Sequence, residues 1–249
     1  MAERFQIQTP RAMMHTEPSD ASECCNELLY GETVSVSESN SGDWIKVKAD
    51  HDGYEGFIPA TILGTPYDTQ HTVIAPATHI YSQSDFKSPV LSPLFMGSRL
   101  STTKTVQNGF REIRGGGWVF DHHLTLNGHA NIDFVELALL FVGTPYLWGG
   151  RTVCGIDCSG LIQITLMTAG VDSMRDTTEQ SQTTGEPLPG PQRKKLKRGD
   201  LVFFEGHVGL MINQEQVLNA TSRHMQVVIE TLDELAESYD GITGIRRIS

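Results

Sequence analysis

Asp157-Cys158-Ser159-Gly160-Leu161-Ile162-Gln163-Ile164-Thr165-Leu166-Met167 is the stretch whose reading decides the fold. A Gly-rich loop, Pro145-Tyr146-Leu147-Trp148-Gly149-Gly150-Arg151, runs ahead of it, and Gly170 closes it. The pattern predicts a buried helix of about three turns beginning near Cys158. Upstream, Ile132 to Val142 has helix-like spacing and stops at Gly143 and Pro145. Downstream the period changes to that of strands. Leu201 to Phe204, a Glu205-Gly206 turn and His207 to Ile212 read as a hairpin, followed by strands over Gln216 to Ala220, Met225 to Glu230 and Ile242 to Ile248. Thr231-Leu232-Asp233-Glu234 is a capping-box signature for one short helix among them. Thr177 to Gln192 is polar and rich in Pro and Gly, and is expected to be a surface loop. Helices first and a meander afterwards give an α+β domain over 128–249.

Residues 1–127 read differently. Thr33-Val34-Ser35-Val36 and Trp44-Ile45-Lys46-Val47-Lys48 alternate polar and apolar, with turns at Asn40-Ser41-Gly42-Asp43 and His51-Asp52-Gly53 and a further strand through Phe57-Ile58. Such alternation at short intervals predicts small antiparallel barrels. A weak repeat supports two of them. Leu29-Tyr30-Gly31-Glu32, Asp43 to Val47 and Gly56-Phe57-Ile58 are echoed by Leu94 to Ser98, Gly109 to Ile113 and Gly117 to Phe120, at a period of about 61–65 residues. The expected division is 1–66, 67–127 and 128–249, with Thr65-Pro66-Tyr67-Asp68-Thr69 and Asn127-Gly128-His129 as linkers.

The chain has 249 residues and a formal net charge of −11 at pH 7. That charge argues against a general nucleic-acid binder and against docking on anionic lipid through a basic patch. No apolar run is long enough for a membrane span, and the first residues lack a signal-peptide layout. Four cysteines, two of them adjacent at 24 and 25, do not make a disulfide scaffold, so a reduced, intracellular protein is expected. The run Arg193 to Arg198 reads as a solvated loop edge.

Cys158 is the sharpest chemical candidate. At a helix N-terminus, orphan N–H groups and the helix dipole favour a thiolate. A free cysteine is more commonly an inert core residue, and position alone leaves the two readings even. A thiolate nucleophile needs a base, and the base an orienting group. His207 opens one predicted strand and Asn219 lies on the next, so antiparallel pairing can make them neighbours. From spacing alone, a structural histidine at 207 and a turn-adjacent polar residue at 219 are the better reading.

The motifs decide. Gly143-Thr144-Pro145-Tyr146-Leu147-Trp148-Gly149-Gly150, Asp157-Cys158-Ser159-Gly160-Leu161, Gly199-Asp200-Leu201-Val202-Phe203-Phe204 and Gly206-His207-Val208-Gly209 resemble, in order and spacing, the NlpC/P60 family of cysteine peptidases over residues 131–222. The strand pattern ahead of them resembles bacterial SH3-like domains. The resemblance implies a papain-like α+β catalytic domain preceded by two small all-β SH3-like barrels. It implies Cys158 as nucleophile, His207 as base and Asn219, where the family most often has His, as the orienting residue. It also implies a murein-derived peptide as substrate, cut between D-γ-glutamate and a diamino acid. The tandem barrels resemble the branch that acts on peptides with a free N-terminal L-alanine, a cytoplasmic recycling activity. Tyr146, Asp157, Ser159 and Thr177 become substrate contacts, with Asp157 suited to a free amine.

No cofactor is implied, and Cys154 with Cys158 lacks the further ligands that a zinc site needs. His122-His123 reads as a solvated turn, and Gly115-Gly116-Gly117 lacks the Lys-Ser/Thr of a phosphate loop. Two rival readings stay open at this point: an inactive peptidoglycan-binding protein, and an amidase or acyltransferase on the same scaffold.

Overall fold

A computed structural model of the protein describes residues 3–36, 42–128, 132–188 and 196–248. The chain divides into two compact units, Met1–His129 and Ala130–Ser249.

In the first unit two sets of strands share one topology. The first sheet runs in the order Cys24–Leu29, Arg11–His15, Glu55–Pro59, Trp44–Ala49, Thr33–Val36, Glu3–Ile7, Leu63–Gly64. The second set runs Val90–Phe95, Ala77–Tyr81, Trp118–Phe120, Phe110–Ile113, Thr102–Gln107 in one sheet and Arg99–Leu100, His71–Val73, Leu124–Leu126 in another. The order is the same once Arg99–Leu100 and Thr102–Gln107 are taken as the two halves of the strand matching Thr33–Val36. Each set also carries a 3-10 turn, Ala60–Ile62 or Asp121–His123, just before its last strand.

The alternation explains the packing, because successive side chains of a strand face opposite ways. Val34, Val47, Ala49 and Ile58 are buried with Ile7, Met14 and Leu28 in one core, while Lys46 and Lys48 between them are exposed. Val73, Ile80, Leu94, Leu100, Ile113 and Val119 form the second core. Tyr30 from the first set packs against that second core, and its carbonyl accepts the Arg99 N–H at 2.8 Å. Gly31 has φ +81°, and a Cβ there would collide with the Arg99 carbonyl, so only glycine lets the sets approach this closely. Of the expected linkers, Tyr67 is docked by its hydroxyl on that of Tyr30 at 3.1 Å. Of the other, Asn127 donates to the Thr69 carbonyl at 2.8 Å, and His129 lies outside the described residues, as do Asn40 and Ser41 of the predicted turn.

The second unit is a mixed α+β fold. Its antiparallel sheet runs Glu186–Pro187, Gly244–Arg247, Asp200–Phe204, His207–Met211, Gln216–Thr221, Gln226–Thr231. Among the described residues four helices accompany it: α1 (Phe134–Leu139), α2 (Cys158–Thr168), α3 (Thr177–Thr183) and α4 (Leu232–Ser238). Nearly every residue of α2 is buried, which its apolar composition anticipates. Leu196, Val202, Phe204, Met211, Val217, Leu232, Leu235 and Ile245 close a core between the sheet and α4. The capping box of α4 is present in full, with Thr231 and Glu234 exchanging hydrogen bonds. Arg198, at the end of the run expected to be solvated, pairs with Asp133 and Glu136 of α1 at 2.6 Å each. Residues 193–195 of that run lie outside the described residues.

One expectation is overturned. Part of the polar stretch predicted to be a surface loop is helix α3, followed by the short strand Glu186–Pro187. Its anchor is polar rather than apolar: Gln180, fully buried, donates to the carbonyls of Ser159 and Met174 at 2.9 and 2.8 Å. A helix fixed by a buried amide carries no apolar stripe for a periodicity test to find.

Candidate active site

Helix α2 begins at the nucleophile candidate. Asp157 is its N-cap, accepting the Gly160 N–H at 2.7 Å, and Cys158 is the first helical residue. In that position the Cys158 N–H has no acceptor within the helix and is a natural oxyanion donor. Gly160 is required by contact: a Cβ there would run into the Gly150 carbonyl of the Gly-rich loop.

The Cys158 side chain is buried, with only 6% of the residue exposed. Burial pushes its thiol up to about 11, and the charge of Asp157 adds to the rise, while the Val208 N–H, the Thr177 hydroxyl and Arg175 oppose it. Burial therefore opposes the thiolate that the helix N-terminus favours. Thr177 Oγ1 is 3.9 Å from Cys158 Sγ.

His207 opens the strand His207–Met211, whose Val208 N–H serves the Cys158 sulfur. The imidazole is 4% exposed. Burial lowers its pKa to about 4, with Arg223 acting in the same direction and Asn219 and Glu230 opposing. His207 Nε2 meets Asn219 Oδ1 at 3.1 Å. Since an amide oxygen only accepts, Nε2 carries the proton and Nδ1 is left bare as a base. The Asn219 amide nitrogen donates in turn to Glu230 Oε2 at 2.9 Å. Tyr239, the C-cap of α4, stacks flat on the imidazole with ring centroids 4.5 Å apart and planes within 2°. Cys158, His207 and Asn219 are thus carried by α2 and two neighbouring strands, with the imidazole hydrogen-bonded to the amide and the Val208 N–H, next in the chain to His207, on the Cys158 sulfur.

The residues predicted to touch substrate fare differently. Tyr146 is half-buried, and its phenol pKa is raised by burial and then by the fields of Cys158 and Asp157, so it belongs to the surroundings of the sulfur. Ser159 is buried, accepts from Arg175 Nη1 at 2.8 Å and donates to Asp157 Oδ1 at 3.3 Å. Asp157 requires a correction. It was expected to offer a charge to a substrate amine, but both carboxylate oxygens are engaged. Arg175 binds them at 3.0 and 2.6 Å, and the Gly149 and Gly160 N–H groups take further lone pairs at 2.8 and 2.7 Å. With 4% of the residue exposed and its charge balanced by a buried guanidinium, Asp157 fastens the Gly-rich loop to α2 and α3.

Sequence reasoning passed over Arg175, Gln180, Arg223, Glu230 and Tyr239. The capping box, which fixed the start of α4, could have placed Tyr239 near that helix end. Nothing local marks the others. Among the described residues no group of three or more His, Cys, Asp or Glu is arranged to hold a metal ion.

The second unit is a cysteine peptidase domain of the NlpC/P60 family, whose profile matches residues 143–242. Ahead of it the chain carries a bacterial dipeptidyl-peptidase SH3 domain, matched over residues 14–63. Among curated proteins the chain is 29% identical over 246 residues to the dipeptidyl-peptidase 6 of Lysinibacillus sphaericus, spanning 90% of this chain and 89% of that one. It is also 29% identical over 237 residues to the gamma-D-glutamyl-L-lysine dipeptidyl-peptidase of Bacillus subtilis strain 168, spanning 84% and 76%. A crystal structure of an NlpC/P60 family protein from Bacillus cereus superposes with a TM-score of 0.84 at 20% identity, covering 98% of this chain and 99% of that one, a likeness of fold.

Proposed function

We propose that the protein hydrolyses the γ-D-glutamyl–diamino acid bond of peptidoglycan stem peptides that carry a free N-terminal L-alanine, as a cytoplasmic recycling peptidase. The observation carrying the chemistry is His207, hydrogen-bonded to Asn219 Oδ1 at 3.1 Å, at the head of the strand whose Val208 N–H meets the Cys158 sulfur at the start of α2. His207 Nδ1 takes the thiol proton as the sulfur attacks the scissile carbonyl. The developing oxyanion is met by the Cys158 N–H. The imidazolium then protonates the leaving amine, and water hydrolyses the thioester. The substrate reading is supported by relatives named as dipeptidyl-peptidases, since release of a dipeptide requires a free amino end. With Asp157 committed to Arg175, recognition of that amine falls to groups other than its carboxylate.

The test compares L-Ala-γ-D-Glu-L-Lys with its N-acetylated form and with the same stem joined to muramic acid, products being read by mass spectrometry. The free peptide is expected to be cleaved about 10–100-fold faster, the worth of one charge-assisted hydrogen bond. Cys158→Ala is expected to abolish turnover while leaving the fold intact. Equal rates on free and acylated peptides would remove the recycling role and indicate a hydrolase of intact wall.

A further inference from the structure

The hydrogen-bond chain that starts at His207 does not end at Asn219. Strand register places the side chains of His207, Asn219 and Glu230 on one sheet face. Val217 pairs with Glu230, Asn219 with Val228, and Leu210 with Leu218, so each of the three is a diagonal neighbour of the next. Asn219 has two chemically different ends. Its Oδ1 accepts from His207 Nε2 at 3.1 Å, and its Nδ2 donates to Glu230 Oε2 at 2.9 Å.

A carboxylate can only accept, so the amide nitrogen must face it and the amide oxygen must face the imidazole. Without that constraint a half-turn of the amide, nearly isosteric, would present Nδ2 to His207. Nε2 would then have to accept, the ring proton would sit on Nδ1, and the lone pair needed to deprotonate Cys158 would be lost.

Glu230 is itself held in place. Arg223 Nη2 donates to both carboxylate oxygens at 2.8 Å, and His224 Nε2 lies 3.3 Å from Oε1. Arg223 also donates to Ser238 Oγ at 3.0 Å and lies over the ring of Tyr239, 5.7 Å from its centroid. Tyr239 stacks on His207, so the contacts close into a ring: His207, Asn219, Glu230, Arg223, Tyr239 and back to His207.

We propose that Glu230, clamped by Arg223, is a positioning residue that locks the Asn219 amide and thereby selects the tautomer of His207 whose Nδ1 is free. The role rests on the cysteine-peptidase reading of Cys158 and His207 but not on which peptide is cleaved.

The test therefore pairs a measurement on the free protein with one on turnover. Histidine nitrogen NMR of the intact chain at neutral pH, with His207 assigned through its loss in His207→Gln, should show the proton on Nε2. Glu230→Ala should give a mixture with Nδ1–H and lower kcat about 10–100-fold, with KM within about twofold. The rescue is the exchanged pair Asn219→Asp with Glu230→Gln. An acceptor-only group at 219 cannot turn the wrong way, so Nε2–H and most of kcat should return. Pure Nε2–H and wild-type kcat in Glu230→Ala would overturn the proposal. So would a loss of kcat with the tautomer unchanged, which marks a structural effect. If Glu230→Ala does not fold, the exchanged pair decides alone: Nδ1–H in that folded variant overturns the proposal. A wild-type protein that leaves the stem peptide intact but shows Nε2–H in the NMR experiment would defeat the proposed substrate and leave this role standing.

Discussion

Asp157 and Arg175 show how a charged residue of a signature motif can be committed to an internal ion pair. Their buried, two-pronged ion pair fixes the N-terminus of α2, and with it the position of Cys158. Breaking one side leaves an uncompensated buried charge. Arg175→Met is expected to destabilise the second unit by about 3–5 kcal/mol, measured by urea unfolding, and Asp157→Asn in the same chain should recover part of the loss. His207 poses the complementary question of what disfavours the charged form of an imidazole. Its low pKa, about 4, comes first from burial, and Tyr239 covers one face of the ring. Tyr239→Leu admits water, raises the His207 pKa towards its ordinary value and should move the acid limb of kcat/KM up by about one pH unit. An unmoved limb would show that the stacked ring does not set the desolvation.

At the scale of elements, α3 is the instructive case. It has seven residues, one buried side chain and no side-chain N-cap bond, so little in the helix itself stabilises it. What holds it is Gln180, bridging from α3 to the Ser159 carbonyl on α2 and the Met174 carbonyl. Thr177 at its first turn reaches the Cys158 sulfur. Gln180→Ala removes two hydrogen bonds, at a cost of about 2–3 kcal/mol. Amide exchange should speed up selectively in α3, and kcat should fall as Thr177 loses its place. Exchange rates unchanged in α3 would transfer its stability to its other contacts. Element α4 differs in kind: its capping box and the Leu232, Leu235 and Ala236 face would mark it in any context.

Across the whole molecule, desolvation disfavours the charged form of histidines in both units. Burial lowers the pKa of His71 and His123 in the first unit, as it does that of His207 in the second. A histidine whose folded pKa lies below its unfolded value is protonated first in the unfolded chain. Stability is therefore present above about pH 6.5 and is lost as the pH falls towards about 4. For His207 the shift corresponds to as much as about 3 kcal/mol, and it should disappear from the pH dependence of urea unfolding in His207→Gln. Carboxylates such as Glu230 and Asp133, whose pKa values the fold lowers against the opposing pull of burial, act at more acid pH and leave the histidine window distinct. A stability curve flat between pH 6.5 and 4.5 in the wild type would contradict the burial of these imidazoles.

What the sequence determined by itself is whatever is written in local pattern. Alternation in Thr33–Val36 and Trp44–Ala49, the apolar run behind Cys158 and the Thr231–Glu234 cap each dictate a strand or a helix from neighbouring residues alone. The ordered motifs around Cys158 and His207 likewise mark out the family. What only the tertiary structure decided is which partners polar groups find. Asp157 reads as a free charge in the chain and is an internal ion pair in the fold, because Arg175 arrives from beyond α2. The helix start at Cys158 favours a thiolate from local sequence, while burial pulls the other way, because desolvation depends on everything packed around the sulfur. Helix α3 and the ring through Glu230, Arg223 and Tyr239 rest on hydrogen bonds and stacking between segments far apart in the chain, and no local periodicity encodes those.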